Sequence, residues 1–282
     1  MVELSQREVL WLALSDLFLD TEIRGELPRL ARVALNSGFS WDTVERIYLE
    51  EVAPVAGPNL FELAGDWAGF PQDWLFEQIR GRSPGTTRIS RQATEMLHDQ
   101  WVVLNQLYHQ LAQVPAEQEP QRSQSWLWLA SQFFQPAWPD SHSFPTFLQH
   151  CLEPQLQQQL AEDFGWLDRI YRKLWVHPGD PSPQQIERNW LQCQKVMAWA
   201  RSQPAPLAPL LSPLQILFVG PQIHPQHPAF AEILERLKEA AVLPSQVSDW
   251  LESPWADWIA LQEPRKRHWA RRNWEHHLLP LL

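Results

Sequence analysis

The feature that most limits the fold of this chain is the helical spacing of its apolar residues, in short runs that proline or glycine ends. Leu10, Leu14 and Leu17 recur at intervals of three or four residues, which places them on one face of a helix. Ser5 precedes this run, and Glu8 lies three residues after Ser5, which is the spacing of a helix capping box. Short helices with short connections predict irregular or orthogonal bundles, so the predicted fold class is mainly α.

Proline, glycine and serine mark the ends of further expected helices. Pro28 suits the first turn of a second helix, and Gly38 ends it. Ser40 opens a third helix over 41–52, and Pro71 begins another. A longer pattern over 90–113 predicts this buried stripe: Met96, Leu97, Val103, Leu104, Leu107, Tyr108 and Leu111. Later helices are expected near 125–135, 144–175, 183–202, 228–241, 246–262 and 265–279, and residues 214–219 are the one good strand candidate.

A polar stretch without periodicity interrupts these patterns over residues 115–124. A chain of 282 residues is long enough for two ordinary domains. We therefore expect an N-terminal helical domain over 1–113, a polar Pro/Gln-rich linker over 114–125, and a Trp/Pro-rich helical domain over 126–282.

The chain holds 17 tryptophans, and each ring can bury roughly 200 Å² if its indole N–H finds a partner. Trp67, between the small residues Gly65 and Gly69, is predicted to be buried.

Two cysteines are too few for a disulfide framework, which fits a reducing compartment. The N-terminus lacks the pattern of a signal peptide, and the apolar run 216–219 is too short for a bilayer, so we expect a cytoplasmic protein without a transmembrane segment.

Charge is unevenly distributed along the chain. The formal net charge is −10, which argues against nucleic-acid binding by the whole surface. Residues 1–82 have a balance of −7, whereas residues 264–282 have a balance of +4. The two ends therefore differ in sign.

The first part of the chain resembles a small bacterial helical domain of unknown function. The residues that carry the resemblance are 11–22 (WLALSDLFLDTE), 50–54 (EEVAP), 59–60 (NL) and 65–70 (GDWAGF). It covers the N-terminal ~80 residues and implies a small helical fold without an assigned activity. It carries over no functional residue, and no resemblance covers residues 125–282.

A first metal-site hypothesis rests on carboxylates near the end of the first helix. Asp16 and Asp20 are one helical turn apart, Glu22 follows, and Glu50 and Glu51 could approach from another helix. Carboxylates from two helices hold divalent metals in bundle proteins. The alternative is that Asp20 caps the following turn while Asp16 is solvated, and the pattern favours this alternative.

Two further histidine-containing groups allow a metal site. Glu95 and His98, followed by Asp99, have the spacing of two ligands on one helix face. His224 and His227 are three residues apart in a proline-flanked loop; their possible zinc partners are His276, His277 and Cys193. Nothing in the spacing selects those partners, so a solvated helix face and ordinary loop histidines are the favoured interpretations.

Complete catalytic motifs are missing from the sequence. It contains no Gly-x-Ser-x-Gly elbow, no Gly-x-x-x-x-Gly-Lys-Ser/Thr loop and no Gly-x-Gly-x-x-Gly turn. The sequence therefore identifies no catalytic, cofactor-binding or metal-ligating residue, implies no cofactor, and favours a non-catalytic protein over an enzyme.

The most distinctive segment is basic and aromatic and lies near the C-terminus. Its candidate partner-binding residues are Arg265, Lys266, Arg267, Trp269, Arg271, Arg272 and Trp274. On a helix such a surface can bind an acidic protein face, phosphates or lipid headgroups, or it can dock against the acidic part of its own chain.

We predict a protein-interaction protein, an adaptor or assembly factor that binds another protein. The alternatives are a metal-dependent hydrolase built on Asp16, Asp20, Glu95 and His98, and a binder of nucleic acid or anionic membranes through the basic segment.

Overall fold

The computed structural model of the chain describes residues 4–62, 68–133, 144–172, 181–203, 207–220, 223–224, 226–261 and 263–282. Within this part the α-helices are α1 Gln6–Ser15, α2 Leu27–Asn36, α3 Trp41–Ile47, α4 Ala53–Ala56, α5 Gln72–Arg80, α6 Arg88–Met96, α7 His98–Ala112, α8 Glu119–Phe133, α9 Phe144–Leu152, α10 Pro154–Tyr171, α11 Pro183–Arg201, α12 Ala208–Leu214, α13 Pro228–Glu239, α14 Pro244–Leu251, α15 Pro254–Ile259 and α16 Arg265–Asn273. Two π-helical turns, Tyr48–Val52 and Trp274–Leu278, follow α3 and α16. No described residue lies in a strand, and the mainly α fold is confirmed.

The N-terminal helices begin and end at the residues that the sequence predicts. Ser5 and Glu8 form the expected capping box at α1. Pro28 lies in the first turn of α2, where its missing N–H costs no helical hydrogen bond. Gly38 follows α2 with φ +73°, a left-handed conformation that a Cβ atom disfavours. Local capping chemistry therefore sets these boundaries.

The chain forms two compact units, and the first comprises Met1–Trp138 and Asp163–Pro181. Helix α2 is central to this unit, because it packs against α1, α7 and α8. Leu30 and Ala34 of α2 and Leu104, Leu107 and Leu111 of α7 are fully buried. These contacts join the apolar stripes that the periodicity predicts.

A stack of aromatic rings in the first unit includes the π-helical turn. The Tyr48 ring lies parallel to Trp101 with 4.0 Å between the ring centroids, and Phe18 stacks on Tyr48 at 5.5 Å. Trp41 continues the stack beyond Trp101 at 4.8 Å. The Tyr48 side chain is buried, and burial raises the pKa of its phenol well above the usual value.

The second unit comprises Pro139–Glu162 and Ser182–Leu282. Helix α11 packs against α9 and α15, while α12 packs against α9 and α13. Trp255 is fully buried in this core and meets Phe218 edge-on, with 5.5 Å between the ring centroids. Tryptophan therefore fills the core of the second unit.

Several expectations about the elements are wrong. Residues 214–219 are not a strand, because α12 runs to Leu214 and a 3₁₀ turn continues over Gln215–Phe218. The 90–113 pattern is divided between α6 and α7 at Leu97, and Met96 is 59% exposed rather than buried. The expected helices at 144–175 and 246–262 are each interrupted where a proline starts a new helix, at Pro154 and Pro254.

The expected linker includes residues that are helical in the structure. Helix α8 begins at Glu119, and Ser123 and Ser125 are buried although the sequence around them is polar. Helix α8 also packs against α2 and α7 within the first unit. Whether residues 1–113 fold alone stays a prediction, and Trp67 lies outside the described residues.

Candidate partner-binding surface

The basic segment forms helix α16 and the π-helical turn that follows it. Arginine, lysine and alanine are good helix formers, and Arg271 and Arg272 lie in the last turn, where cations interact favourably with the helix dipole. The segment packs against the 3₁₀ turn Gln215–Phe218 and against α14 and α15. One face of α16 is therefore buried in the second unit.

Trp274 belongs to this buried face. It is 1% exposed, and its indole Nε1 donates a hydrogen bond to Ser248 Oγ at 3.2 Å. Neighbouring Asn273 is fully buried, and its Nδ2 donates to the carbonyl oxygens of Leu217 and Gly220, each at 2.9 Å. Sequence reasoning missed Asn273, because an asparagine in a basic helix carries no signal of burial. Trp274 and Asn273 fix the helix to its own unit.

A second group of residues on α16 is neutralised by acidic side chains of the same unit. Arg267 Nη1 donates to Asp257 Oδ1 at 2.5 Å, and its Nη2 lies 3.2 Å from Glu252 Oε2. Arg271 pairs with Glu275 at 3.1 Å and with Glu252 at 3.5 Å. Lys266 Nζ lies 3.7 Å from Glu263, one helical turn before it. These three cations contribute to contacts inside the second unit.

The remaining face of the segment is exposed and cationic. Its residues are Arg265, His268, Trp269, Arg272 and His276, at helical positions i, i+3, i+4, i+7 and i+11, and we call them the basic face. Trp269 is half-buried, and the other four are exposed. Neither Arg265 nor Arg272 pairs with a carboxylate in the part of the chain that the structure describes. Among the described residues, the guanidinium groups of Arg265 and Arg272 therefore have no carboxylate partner.

Three of the proposed carboxylate ligands of the first unit, Asp16, Glu22 and Glu51, bind arginine side chains. Helix α1 ends at Ser15, and the chain is extended at Leu19, so Asp16 and Asp20 are not on one α-helical turn. Asp16 accepts a hydrogen bond from Arg29 Nη2 at 2.6 Å; burial raises the pKa of its carboxyl, and Arg29 opposes this effect. Glu22 accepts from Arg24 Nε at 2.9 Å.

The histidine-containing groups do not come together as metal sites either. Glu95 lies in the last turn of α6 and His98 is the first residue of α7, so they do not share a helix face. His224 and His227 each accept a backbone N–H two residues later through Nδ1, at 3.3 and 3.2 Å. Cys193 is fully buried in α11. Across the described residues, no three His, Cys, Asp or Glu side chains converge in an arrangement that could hold a metal ion.

The described fold and surface define a mainly α-helical protein with an exposed basic face. Residues 5–114 match the model of a family described as a domain of unknown function (DUF7079). This match confirms the resemblance of the N-terminal region to an uncharacterised domain. No curated protein and no solved structure matches the chain. Within the described residues, no helix combines the length and apolar character that crossing a bilayer requires.

Proposed function

We propose that this chain is a non-catalytic protein-interaction protein, an adaptor or assembly factor whose basic face binds an acidic segment of a partner protein. The observation that carries the proposal is the division of charges on α16. Arg267 and Arg271 pair with carboxylates of their own unit, whereas Arg265 and Arg272 have no such partner among the described residues. Only the second pair is free for an external acidic group.

The chemistry of the basic face suits carboxylates on a protein. A guanidinium group binds a carboxylate through two parallel hydrogen bonds, and arginine and tryptophan are enriched at the energetically important positions of protein interfaces. Arg265 and Arg272 are seven residues apart with Trp269 between them, so both charges and the ring can contact one acidic segment.

Nucleic acid is the less favoured ligand of the same face. Affinity for a duplex grows with the number of phosphates that cations neutralise, and the basic face offers two unpaired arginines on a chain of net charge −10. A small positive area on an acidic protein fits a short acidic peptide better than a long polyanion.

Reversing the charges of the basic face tests the proposal. The variant is Arg265→Glu with Arg272→Glu, and the control is Arg188→Glu with Lys195→Glu, two exposed cations of α11 with the same seven-residue spacing. Proteins that the wild type captures from native lysate are identified by mass spectrometry. Synthetic peptides from their acidic segments are then titrated into the wild type and both variants.

The expected result is that an acidic peptide binds the wild type and the control equally, more weakly as salt rises, and binds the variant at least about tenfold more weakly. Equal binding by the wild type and the variant would contradict the proposal. If the wild type captures material from lysate that the variant does not capture, and nuclease removes that material, the basic face binds nucleic acid instead of an acidic peptide.

A further inference from the structure

A cleft in the first unit lies where α1, the π-helical turn Tyr48–Val52, α5 and the loop after α5 meet. Its volume is about 200 Å³. Trp11 and Ile79 supply apolar surface, and arginine and glutamate side chains supply charges of both signs. π-Helical turns occur frequently at functional sites, because the extra residue changes the directions of the neighbouring side chains. We call this cavity the π-turn cleft.

Glu51 occupies one side of the π-turn cleft, and its hydrogen bonds within the unit leave it little capacity for a ligand. Its carboxylate accepts from Trp11 Nε1 at 2.8 Å and from Arg7 Nε at 3.0 Å, and it also pairs with Arg7 Nη2. The Glu51 side chain is only 8% exposed. It therefore positions the indole ring and the Arg7 guanidinium and neutralises the latter.

Arg80, on α5, is also neutralised. It forms an ion pair with Glu8 of the α1 capping box, and its guanidinium carbon lies 5.5 Å from the centroid of the Phe76 ring. The Glu8 carboxylate further accepts from the Ser5 backbone, which holds its pKa below the usual value. Arg80 therefore contributes shape to the cleft more than free charge.

Two opposite charges of the cleft have no ion-pair partner among the described residues. Glu50 lies in the π-helical turn and Arg82 in the loop after α5, and neither forms an ion pair with a residue that the structure describes. The backbone N–H of Gly85 donates to the Glu50 carbonyl at 3.1 Å, so the loop is attached to the turn. Both charges line the same cleft without meeting each other, and Ser83 adds a hydroxyl beside Arg82.

We propose that the π-turn cleft binds a zwitterion of the size of a free α-amino acid. The Glu50 carboxylate receives the ligand's ammonium group, Arg82 and the Ser83 hydroxyl receive its carboxylate, and Trp11 and Ile79 contact its side chain. Sites for drug-sized ligands have volumes of about 300–1,000 Å³, so a cavity of about 200 Å³ fits a smaller molecule.

The two charges also favour a ligand of both signs over a ligand of one sign. A plain anion is repelled by Glu50, and a plain cation is repelled by Arg82, because charges at close range in a partly enclosed site interact strongly. A ligand with both charges satisfies both residues. This assignment is independent of the basic face, which lies in the other unit.

A titration with three related ligands tests this inference on the full chain. L-Leucine carries both charges, L-leucinamide lacks the carboxylate, and N-acetyl-L-leucine lacks the ammonium group. Binding is followed by calorimetry and by the NMR signal of the Trp11 indole N–H, assigned through a Trp11→Phe variant. L-Leucine is expected to bind and shift that signal, and each derivative is expected to bind at least about tenfold more weakly.

Variants with matched controls locate the site. Glu50→Gln and Arg82→Gln should each weaken L-leucine binding at least about tenfold, whereas the controls Glu95→Gln and Arg88→Gln, exposed residues of α6, should bind as the wild type does. The same titration is run with the other proteinogenic amino acids to identify the side chain that fits best. Failure of every amino acid to bind, or equal binding by the derivatives or by the Glu50 and Arg82 variants, would overturn the assignment.

Discussion

Trp269 and Trp274 are five residues apart in the same basic segment, but the structure gives them different environments. Trp274 is buried and bonded to Ser248, whereas Trp269 is half-buried beside the unpaired arginines. The sequence predicts both as partner-binding residues, and burial leaves Trp274 no surface for a partner. The residue type indicates a contact, and only the environment decides whether that contact is internal.

Replacing the two tryptophans should separate these roles. Trp274→Ala is expected to lower the free energy of unfolding by about 3–5 kcal/mol, because it leaves a large cavity and removes the partner of Ser248. Trp269→Ala should cost less, because its ring is partly exposed. Urea titrations of both variants measure this difference. Similar losses for the two would mean that Trp269 is also a core residue.

His150 connects stability to pH. It is buried in α9, where its Nδ1 lies 2.7 Å from the Thr146 carbonyl oxygen, and burial holds its pKa below the usual 6.5, although the Thr146 contact opposes this effect. In the unfolded chain the imidazole is protonated as the pH falls below 6.5, while in the folded chain it stays neutral to lower pH. The free energy of unfolding should therefore fall as the pH decreases through that window.

The pH effect is measured from urea midpoints over a pH series. His150→Gln should remove this component of the pH dependence, and the control His268→Gln, at an exposed position, should retain it. A wild-type stability that does not change below pH 6.5 would contradict the assignment.

Helix α16 shows how one element serves two purposes. Its buried face fixes it to the second unit through Asn273, and Arg267 and Arg271 add ion pairs at the rim. Its opposite face leaves Arg265 and Arg272 exposed. Helical periodicity separates the two groups, because residues seven apart share a face while residues two apart do not.

Charge reversal should lower the stability of the protein on one face of α16 and leave it nearly unchanged on the other. Arg267→Glu with Arg271→Glu places new carboxylates beside Glu252 and Asp257 and is expected to cost about 1–3 kcal/mol, less at high salt. Arg265→Glu with Arg272→Glu should leave the thermal midpoint nearly unchanged. Thermal melts at low and high salt measure both variants. An unchanged midpoint for the first pair would show that its ion pairs contribute nothing to stability.

At the scale of the whole molecule, the segment 114–118 is an accessible connection between two helices. Residues 115–118 are exposed between the end of α7 and the start of α8, and the family match ends at 114. Limited proteolysis is therefore expected to cut there first. The two products should stay associated, because α8 packs against α2 and α7 across the cut.

Gel filtration of the nicked protein distinguishes two descriptions of the first unit. Co-elution of the products would indicate that α8 belongs to the fold of the N-terminal region. Separation into two folded fragments would support the independent domain over 1–113 that the sequence predicts. A first cut within 40–62 would contradict the boundary itself.

The sequence by itself determined the helical class and most N-terminal boundaries, because capping and periodicity are local effects. Ser5 with Glu8, Pro28 and Gly38 each act within one or two helical turns, so their neighbours suffice to predict them. The break at Leu97 and the helical state of 214–218 were missed, because similar apolar runs fit more than one local structure.

Only the tertiary structure decided which charges are free. Arg267 and Arg265 look alike in the sequence, and their difference comes from Glu252 and Asp257, which precede Arg267 by ten or more positions and are adjacent to it in space. The same holds in the π-turn cleft, where Arg7 neutralises Glu51 across forty-four positions, whereas its neighbour Glu50 forms no ion pair with a described residue. Pairing depends on distances of a few ångströms between elements, and no local pattern along the chain encodes those distances.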